Sequence, residues 1–395
     1  VAVALSLLEV PTRWVSVVPT GPMGDVLTDS CEHHGVEFSG SRVDGDIGTF
    51  TVLPEEQKVH YQRRNSVFAR HEPATLDWPA LLTAPNPWLH MTGITPLISA
   101  QSRASWDAAI EHAARMQIPI SLDLNHRKQL GTLEELWAMV QPHSHKLELL
   151  ILSVEQLNGL AALELGDATG DATGGAAPPA LDAADGSDAP YLALMGRLQA
   201  RWGCARVALC RKVRDAGGVQ RRWSLMTTRP GLVAADEEEA AAAADGAYSA
   251  YSTYSLPIWH APKEDLGGGS AWAAGLIHAL HVAPLSSPSL QLRRADLLSS
   301  LCQETRGDFS QVTLRELAEA ERRFAGAEAR LVDGAGAGAG AGGGDAAMAA
   351  LPPPVHAAAM VDATVAGLQR AGALAILRVR GPSVEVAVAR GVELA

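Results

Sequence analysis

The chain of 395 residues is poor in cysteine, in aromatic side chains and in positive charge. Its four cysteines show no CxxC pair and no metal-ligand spacing, which favours buried, reduced thiols over disulfides or a zinc site. A net charge of −12 argues against nucleic acid or an anionic membrane surface as a partner. No uncharged apolar run approaches the ~18–20 residues of a membrane-spanning helix, so a soluble protein is expected.

The apolar content of 47% is that of a folded enzyme and excludes disorder of the whole chain. Three stretches rich in Gly, Ala, Asp or Pro interrupt the regular pattern, and the third holds the run GAGAGAGAGGG. They predict a domain over 1–325 with insertions near 166–190 and 234–246, a Gly/Ala/Pro linker over 326–356, and a further segment over 357–395.

Strand-like and helix-like segments alternate along the first domain. Strands are predicted at 14–18, 88–91, 119–124, 147–152, 207–210 and 223–226, and helices at 105–116, at 133–140 and from Ser270 onward. This alternation, with apolar strands covered on both faces, predicts a three-layer α/β/α sandwich on a mostly parallel sheet. Two short strands, 49–53 and 58–62, are expected to form a small β lid beside it.

Three consecutive glycines, Gly267, Gly268 and Gly269, stand immediately before a helical pattern that starts at Ser270. Bare backbone N–H groups at a helix N-terminus suit a phosphate and would stabilise the charge that develops in phosphoryl transfer. A purely structural turn is the commoner meaning of such a sequence, and from these residues alone it remains the alternative.

Several segments, in their order along the chain, resemble the ribokinase-like (PfkB) sugar kinases, and among these the 2-keto-3-deoxygluconate kinases. The glycine segment is joined by VVPTGPMGD (17–25), YQRRNS (61–66), HMTGITP (90–96), DLNHR (123–127) and ETRGDF (304–309). The resemblance covers nearly all of 1–325. It implies the ribokinase-like fold and phosphorylation of 2-keto-3-deoxygluconate to its 6-phosphate with ATP and Mg²⁺, in the Entner–Doudoroff pathway.

The resemblance also implies roles for single residues near the sugar acid. Tyr61 and Arg63 match the lid motif that holds this substrate, and an arginine suits a carboxylate by bidentate pairing. Asn125 and Arg127 match the DxNxR motif between sugar acid and nucleotide, at the sheet edge where ligands of such folds bind. Asp308 matches the aspartate of the terminal GDF motif at the substrate, with a helix cap near Thr313 as the alternative. For the residues of the two other motifs, the alternative is that they are ordinary polar side chains, exposed to solvent at an edge strand or at a strand end.

For the nucleotide, the resemblance assigns Asn125, Glu155, Gly267 and Gly269. Glu155 corresponds to an NxxE-type element that affects magnesium and phosphate, although Ser153 replaces its usual asparagine. No direct protein ligand to the metal is expected, since Mg²⁺ would arrive with ATP and reach Glu155 through water.

Ser270 departs from the family at its most important position, where an aspartate takes the proton from the substrate hydroxyl. A serine hydroxyl is not a useful base at pH 7 without an activating partner, and loss of a general base typically costs about 10²–10⁴-fold in rate. Two functions follow. One is a sugar-acid kinase that keeps the anion hole but is impaired at the base; the other is an inactive pseudokinase that binds a ligand or serves as a scaffold.

The segment 357–395 resembles the opening of the 2-keto-3-deoxy-6-phosphogluconate aldolases, which are TIM barrels, with Arg378 matching an arginine after their first strand. A helix followed by a short strand is expected over 365–378, and a second helix over 384–394. The resemblance implies a fused aldolase domain beyond residue 395 and a first kinase strand that precedes residue 1. Sugar acid and ATP are the expected ligands, the cytoplasm or a plastid is the expected compartment, and homo-oligomerisation is left open.

Overall fold

The computed structural model describes residues 1–53, 58–166, 188–214, 220–230, 232, 241–242, 249–254, 266–284, 287–305, 307, 309–335, 375–380 and 383–388. Within them, the strands are β1 (Thr12–Pro19), β2 (Val36–Val43), β3 (Thr49–Leu53), β4 (Lys58–Gln62), β5 (Leu89–Thr92), β6 (Ile120–Asp123), β7 (Leu149–Leu152), β8 (Arg206–Arg214), β9 (Gln220–Thr228), β10 (Ala241–Ala242), β11 (Ser249–Tyr254), β12 (Ala375–Arg380) and β13 (Ser383–Val388).

The helices of the same residues lie between these strands. They are α1 (Ala2–Leu7), α2 (Pro22–His33), α3 (Val67–Arg70), α4 (Trp78–Leu81), α5 (Ile94–Ile98), α6 (Ala100–Arg115), α7 (Leu133–Val140), α8 (Val154–Leu165), α9 (Ala189–Trp202), α10 (Gly268–Val282), α11 (Pro288–Gln303) and α12 (Leu314–Ala335), with short 3-10 helices at Pro73–Thr75 and Gln141–Lys146. The part of the chain that the structure describes contains no helix that is both long and apolar enough to cross a membrane.

The main sheet has seven strands in the order β10-β11-β9-β8-β7-β6-β5. Strands β5 to β8 are parallel, whereas β9, β11 and β10 pair antiparallel. The sheet is therefore mixed rather than mostly parallel. Only five residues, 215–219, connect β8 to β9, and a connection that short permits an antiparallel neighbour but not a parallel crossover.

Alternate residues of the central strands face two separate hydrophobic layers. On β7, Leu150 and Leu152 pack in the layer that contains α6 to α9, whereas Leu149 and Ile151 pack in the layer of α1 and α10 to α12. This period of two is the geometry of a strand covered on both faces. The three-layer α/β/α architecture predicted from the sequence is confirmed.

Three two-stranded sheets of the described residues lie outside the main sheet, and one of them, β12–β13, belongs to the end of the chain. β1 and β2 pair in parallel, and β3 and β4 form an antiparallel hairpin with the bounds that the sequence predicts. Helix α2 was not predicted, although Pro22 at its first turn is a favourable start signal. The four cysteines form no disulfide, and Cys204 and Cys302 are buried.

The end of the chain differs from the sequence-based expectation. α12 continues to Ala335, inside the segment predicted as a linker. β12 and β13 pair antiparallel, so the helix expected over 384–394 is wrong for 384–388. Val384, Val386 and Val388 alternate with other residues, and β-branched residues at a period of two favour a strand. An antiparallel hairpin is not the strand–helix opening of a TIM barrel, so it gives the aldolase resemblance no support.

Candidate active site

Polar residues collect at the edge of the main sheet where the parallel strands end. β5, β6 and β7 end at Thr92, Asp123 and Leu152, and Asn125 and Glu155 follow within three residues. Such an edge is the usual ligand site of an open α/β sheet, because the loops that leave it converge there.

A cavity of about 820 Å³ lies beside this edge, and it is lined by both Arg63 and Arg127. Arg63 follows lid strand β4 and is only 9% exposed, whereas Arg127 belongs to the loop after β6. Two arginines from separate segments thus line one cavity. The lining also includes Pro19, Thr20, Pro22, Met23, Gly45, Asp46, Ile47, Thr49, Gln62, Arg64, Asn65, Ser66, Gln129 and Leu130.

Hydrogen bonds fix the two arginine-bearing segments relative to each other. Nη2 of Arg64 donates to the carbonyl of Leu130 over 3.1 Å, and the N–H of Leu130 donates to the carbonyl of Arg127 over 2.9 Å. The Ser66 hydroxyl donates to the carbonyl of Arg63 over 2.8 Å and accepts from the N–H of Ala69 over 3.1 Å, which caps α3. The lid turn and the loop after β6 therefore form one wall of the cavity.

Asn125 lies at the sheet edge and is not among the residues that line this cavity. Its φ of +39° is unusual for a residue with a side chain, and asparagine tolerates it better than most. Its N–H donates to Oδ1 of Asp123 over 3.1 Å, and its Nδ2 lies 3.5 Å from Oγ1 of Thr92. These contacts hold the backbone in a sparsely populated conformation, which is often a feature of functional turns.

Glu155 forms an exposed ion pair with Lys128, whose Nζ lies 2.7 Å from Oε1 of the carboxylate. Lys128 lowers the pKa of Glu155 by this hydrogen bond and its charge, and His126 adds a smaller effect. The carboxylate is therefore anionic at neutral pH, and water can reach it. Ser153, which replaces the expected asparagine, caps α8 by accepting from the N–H of Gln156 over 3.2 Å.

The glycine turn opens α10 as the sequence predicts. Gly267 adopts a left-handed conformation with φ of +75°, and Gly268 is buried. Gly269 is exposed, with open space where a Cβ would lie. Ser270 lies in the first turn of the helix and is partly exposed. The first N–H groups of this 15-residue helix thus belong to residues without side chains, and such an arrangement suits a phosphate.

Comparison with known proteins identifies the fold. No family model matches the chain. A 2-dehydro-3-deoxygalactonokinase from Haloferax volcanii is 26% identical over 174 residues, or 42% of this chain and 54% of that protein, so the chain spans about half of this curated relative. A PfkB family carbohydrate kinase from Listeria grayi matches with a TM-score of 0.61 and 22% identity, over 80% of this chain and 87% of that one. This chain has the PfkB carbohydrate-kinase fold.

Two further solved kinase structures match the fold of this chain. A 2-dehydro-3-deoxygluconokinase from Thermotoga maritima matches with a TM-score of 0.61 and 19% identity, over 81% of this chain and 87% of that one. A fructokinase from Vibrio cholerae, solved with fructose, ADP and calcium ion bound, matches with a TM-score of 0.54 and 17% identity, over 80% of this chain and 85% of that one. At such identities the likeness shows the fold alone.

Some residues predicted for the site lie outside what the structure describes. The backbone of Tyr61 pairs with that of Phe50 in the lid hairpin, but its side chain is outside the described part. Asp308 is also outside the described residues, as are Glu264 and Asp265, two acidic residues that shortly precede the glycine turn in the sequence. Within this PfkB fold, the structure brings Arg63 and Arg127 together at the cavity, whereas the glycine turn is not part of the cavity lining.

Sequence reasoning missed a buried arginine beneath the glycine turn. A Cβ placed on Gly268 would lie 2.3 Å from Nη2 of Arg222 on β9 and 2.9 Å from the Gln303 amide. Arg222 is 4% exposed and donates to Oε1 of Gln303 and to Sγ of Cys210, each over 3.2 Å. In the sequence it follows Arg221 and resembles solvated strand polarity. The signal in the sequence was the period of two that Arg222 shares with Ser224 and Met226, whose side chains pack against α10 and α11.

A buried carboxyl was missed as well. Asp296 on α11 is 0% exposed, and its Oδ1 accepts from the Ser224 hydroxyl and from Nε1 of Trp272, the latter over 2.9 Å. Burial raises the pKa of Asp296 to about 7, although the two hydrogen bonds and the charge of Arg222 oppose the shift. Arg222 and Asp296 are therefore two buried ionisable groups near α10, and burial keeps the Asp296 carboxyl protonated to a higher pH than an ordinary aspartate.

Proposed function

We propose that this PfkB-fold chain is an ATP-dependent sugar-acid kinase whose substrate is 2-keto-3-deoxygluconate, which it converts to the 6-phosphate in the Entner–Doudoroff pathway. The observation that carries the proposal is the pair Arg63 and Arg127, which line one cavity at the ligand edge of the fold. A neutral sugar needs no such pair, whereas a carboxylate is the anion that two guanidinium groups bind well. The names of the Haloferax volcanii and Thermotoga maritima proteins agree with a 3-deoxy sugar acid.

The residues divide the work between the two ligands. Arg63 and Arg127 hold the carboxylate of the sugar acid, and Tyr61 and Asp308 are proposed to contact the same substrate. The N–H groups of Gly267, Gly268 and Gly269 receive the transferring phosphoryl group.

The residues at the sheet edge also fit a magnesium ion that arrives with ATP. Asn125 is proposed to face the nucleotide, and Glu155 has an exposed, anionic carboxylate that suits the water shell of the metal. Among the described residues, no three His, Cys, Asp or Glu side chains converge on one point. The ion supplies charge neutralisation between the phosphates when it is bound.

Ser270 supports a second candidate, a pseudokinase that binds the sugar acid or nucleotide and acts as a scaffold. The serine stands in the first turn of α10, where the substrate hydroxyl would lose its proton, and it has no useful basicity at pH 7. Binding would then persist without efficient turnover. The kinase and a pseudokinase that binds the sugar acid share this site and differ in the rate of transfer, whereas a pseudokinase that binds only nucleotide would lack it.

Calorimetry with 2-keto-3-deoxygluconate tests the shared sugar-acid site. Wild type should bind the acid, and Arg127→Ala should weaken binding by about tenfold or more, because one partner of the carboxylate is lost. Arg70→Ala is the matched control, since Arg70 is an exposed arginine on neighbouring α3 that does not line the cavity. The neutral analogue in which an alcohol replaces the carboxylate should bind weakly to all three proteins. Equal affinity for acid and analogue in wild type would contradict the proposal.

A further inference from the structure

We propose that Arg222 is a positioning residue of the anion site: from beneath Gly268, its guanidinium supplies a fixed positive charge to a phosphate bound at the Gly267–Ser270 turn. The inference rests on the proposed phosphoryl-transfer role of that turn. Arg222 is a buried cation in contact with the turn, and no carboxylate of the described residues pairs with it directly.

The charge of Arg222 is nearly uncompensated within the described residues. Its two hydrogen-bond acceptors, Gln303 Oε1 and Cys210 Sγ, are neutral groups, and its Nε makes no hydrogen bond there. Arg222 and Asp296 interact through their charges, but they form no ion pair among those residues. Burial also raises the pKa of Asp296, which reduces its negative charge at neutral pH. An arginine cannot shed its proton, so a buried one without a counter-charge lowers the stability of the fold.

The position of the guanidinium connects this charge to the turn. Gly268 has no side chain, and the space where its Cβ would lie is taken by Nη2 of Arg222 and the amide of Gln303. Arg222 pairs with Lys212 near the end of β8, so it lies at the same edge of the sheet as the other candidate residues. Because both the guanidinium and Gly268 are buried, little water lies between them to screen the field of the cation. An anion bound there offsets part of the cost of burying it.

Calorimetry with the non-hydrolysable ATP analogue AMP-PNP and with adenosine tests the inference. Arg222→Met keeps most of the volume and removes the charge, and it should weaken AMP-PNP binding by about tenfold while leaving adenosine binding unchanged. Arg222→Lys keeps the charge and should stay within about threefold of wild type. The matched control is Arg206→Met, since Arg206 is another buried arginine (4% exposed) at the opposite end of β8, where it pairs with Glu148.

Thermal unfolding separates an electrostatic role from a structural one. Arg222→Met removes an uncompensated buried charge, so its melting temperature should equal or exceed that of wild type even though it binds AMP-PNP more weakly. If Met and Lys variants lose affinity equally and both melt lower, the role is structural and the inference is overturned. Unchanged AMP-PNP affinity in Arg222→Met would also overturn it, even if wild type phosphorylates the sugar acid. If Arg222→Met loses AMP-PNP but wild type never phosphorylates sugar acid, the inference stands and the kinase proposal fails.

Discussion

Buried charge in this molecule is concentrated in a few residues, of which Arg63, Arg222 and Asp296 are each 9% exposed or less. Charged side chains rarely occupy such positions unless they are paired or bind something. Arg63 faces a cavity, Arg222 underlies the glycine turn, and Asp296 is held by two donors. At the scale of residues, the positions of buried charged side chains therefore indicate function better than the number of charged side chains does.

Asp296 should make stability depend on pH. Its folded-state pKa of about 7 lies above the ordinary 3.8, so the folded protein holds a proton that the unfolded chain releases. The stabilisation is full below about pH 4 and is lost as the pH rises to about 7. Asp296→Asn removes this dependence, so its stability relative to wild type should rise by on the order of 2–4 kcal/mol between pH 4 and pH 8.

Urea unfolding at several pH values measures this difference. Asp29→Asn, which changes an exposed acid on α2, is the control and should follow wild type across the range. A constant gap between Asp296→Asn and wild type from pH 4 to pH 8 would show that the buried carboxyl does not titrate as described.

At the scale of elements, the start of α10 combines a packing requirement with a binding function. Gly268→Ala would drive a methyl group into Arg222 and Gln303, and we expect it to lower the free energy of unfolding by about 1–3 kcal/mol. Gly269→Ala meets open space and should be neutral or stabilise the helix by up to about 1 kcal/mol. Chemical denaturation of both variants gives the comparison, and equal losses would contradict the packing described here.

Elements with a clear period were predictable from the sequence, and those with mixed signals were not. α7 has the bounds 133–140 that its apolar spacing predicts, and the hairpin of β3 and β4 has its predicted bounds as well. α2 was missed because Gly24 and several polar residues obscure its apolar face. The helix expected at 384–394 is wrong for 384–388, because alternating valines there outweigh the helix-forming alanines.

At the scale of the whole molecule, the fold brings together residues that are distant in sequence. Arg63 and Arg127 were predictable as a pair only through the family resemblance, since spacing alone allowed solvated polarity equally well. Arg222 and Asp296 were not predicted: a period of two could have placed Arg222 on the face of Ser224 and Met226, but the significance of both residues arises from packing of β9 against α10 and α11. The alternation of strand-like and helix-like segments predicted the layer architecture, while the antiparallel half of the sheet depended on the short connection after β8.

The rate of ATP-dependent phosphorylation of 2-keto-3-deoxygluconate, followed by the mass of the product, tests the central claim most directly. Wild type should be slow, and Ser270→Asp should be faster by about 10²-fold or more, because it restores a base where an acidic side chain suits the helix dipole. Ser270→Asn has the same shape without the base and should remain slow. High activity in wild type would show that another group, such as Glu264 or Asp265, is the base. No phosphorylation by any of the three proteins would contradict the claim that this fold is a sugar-acid kinase disabled at one position.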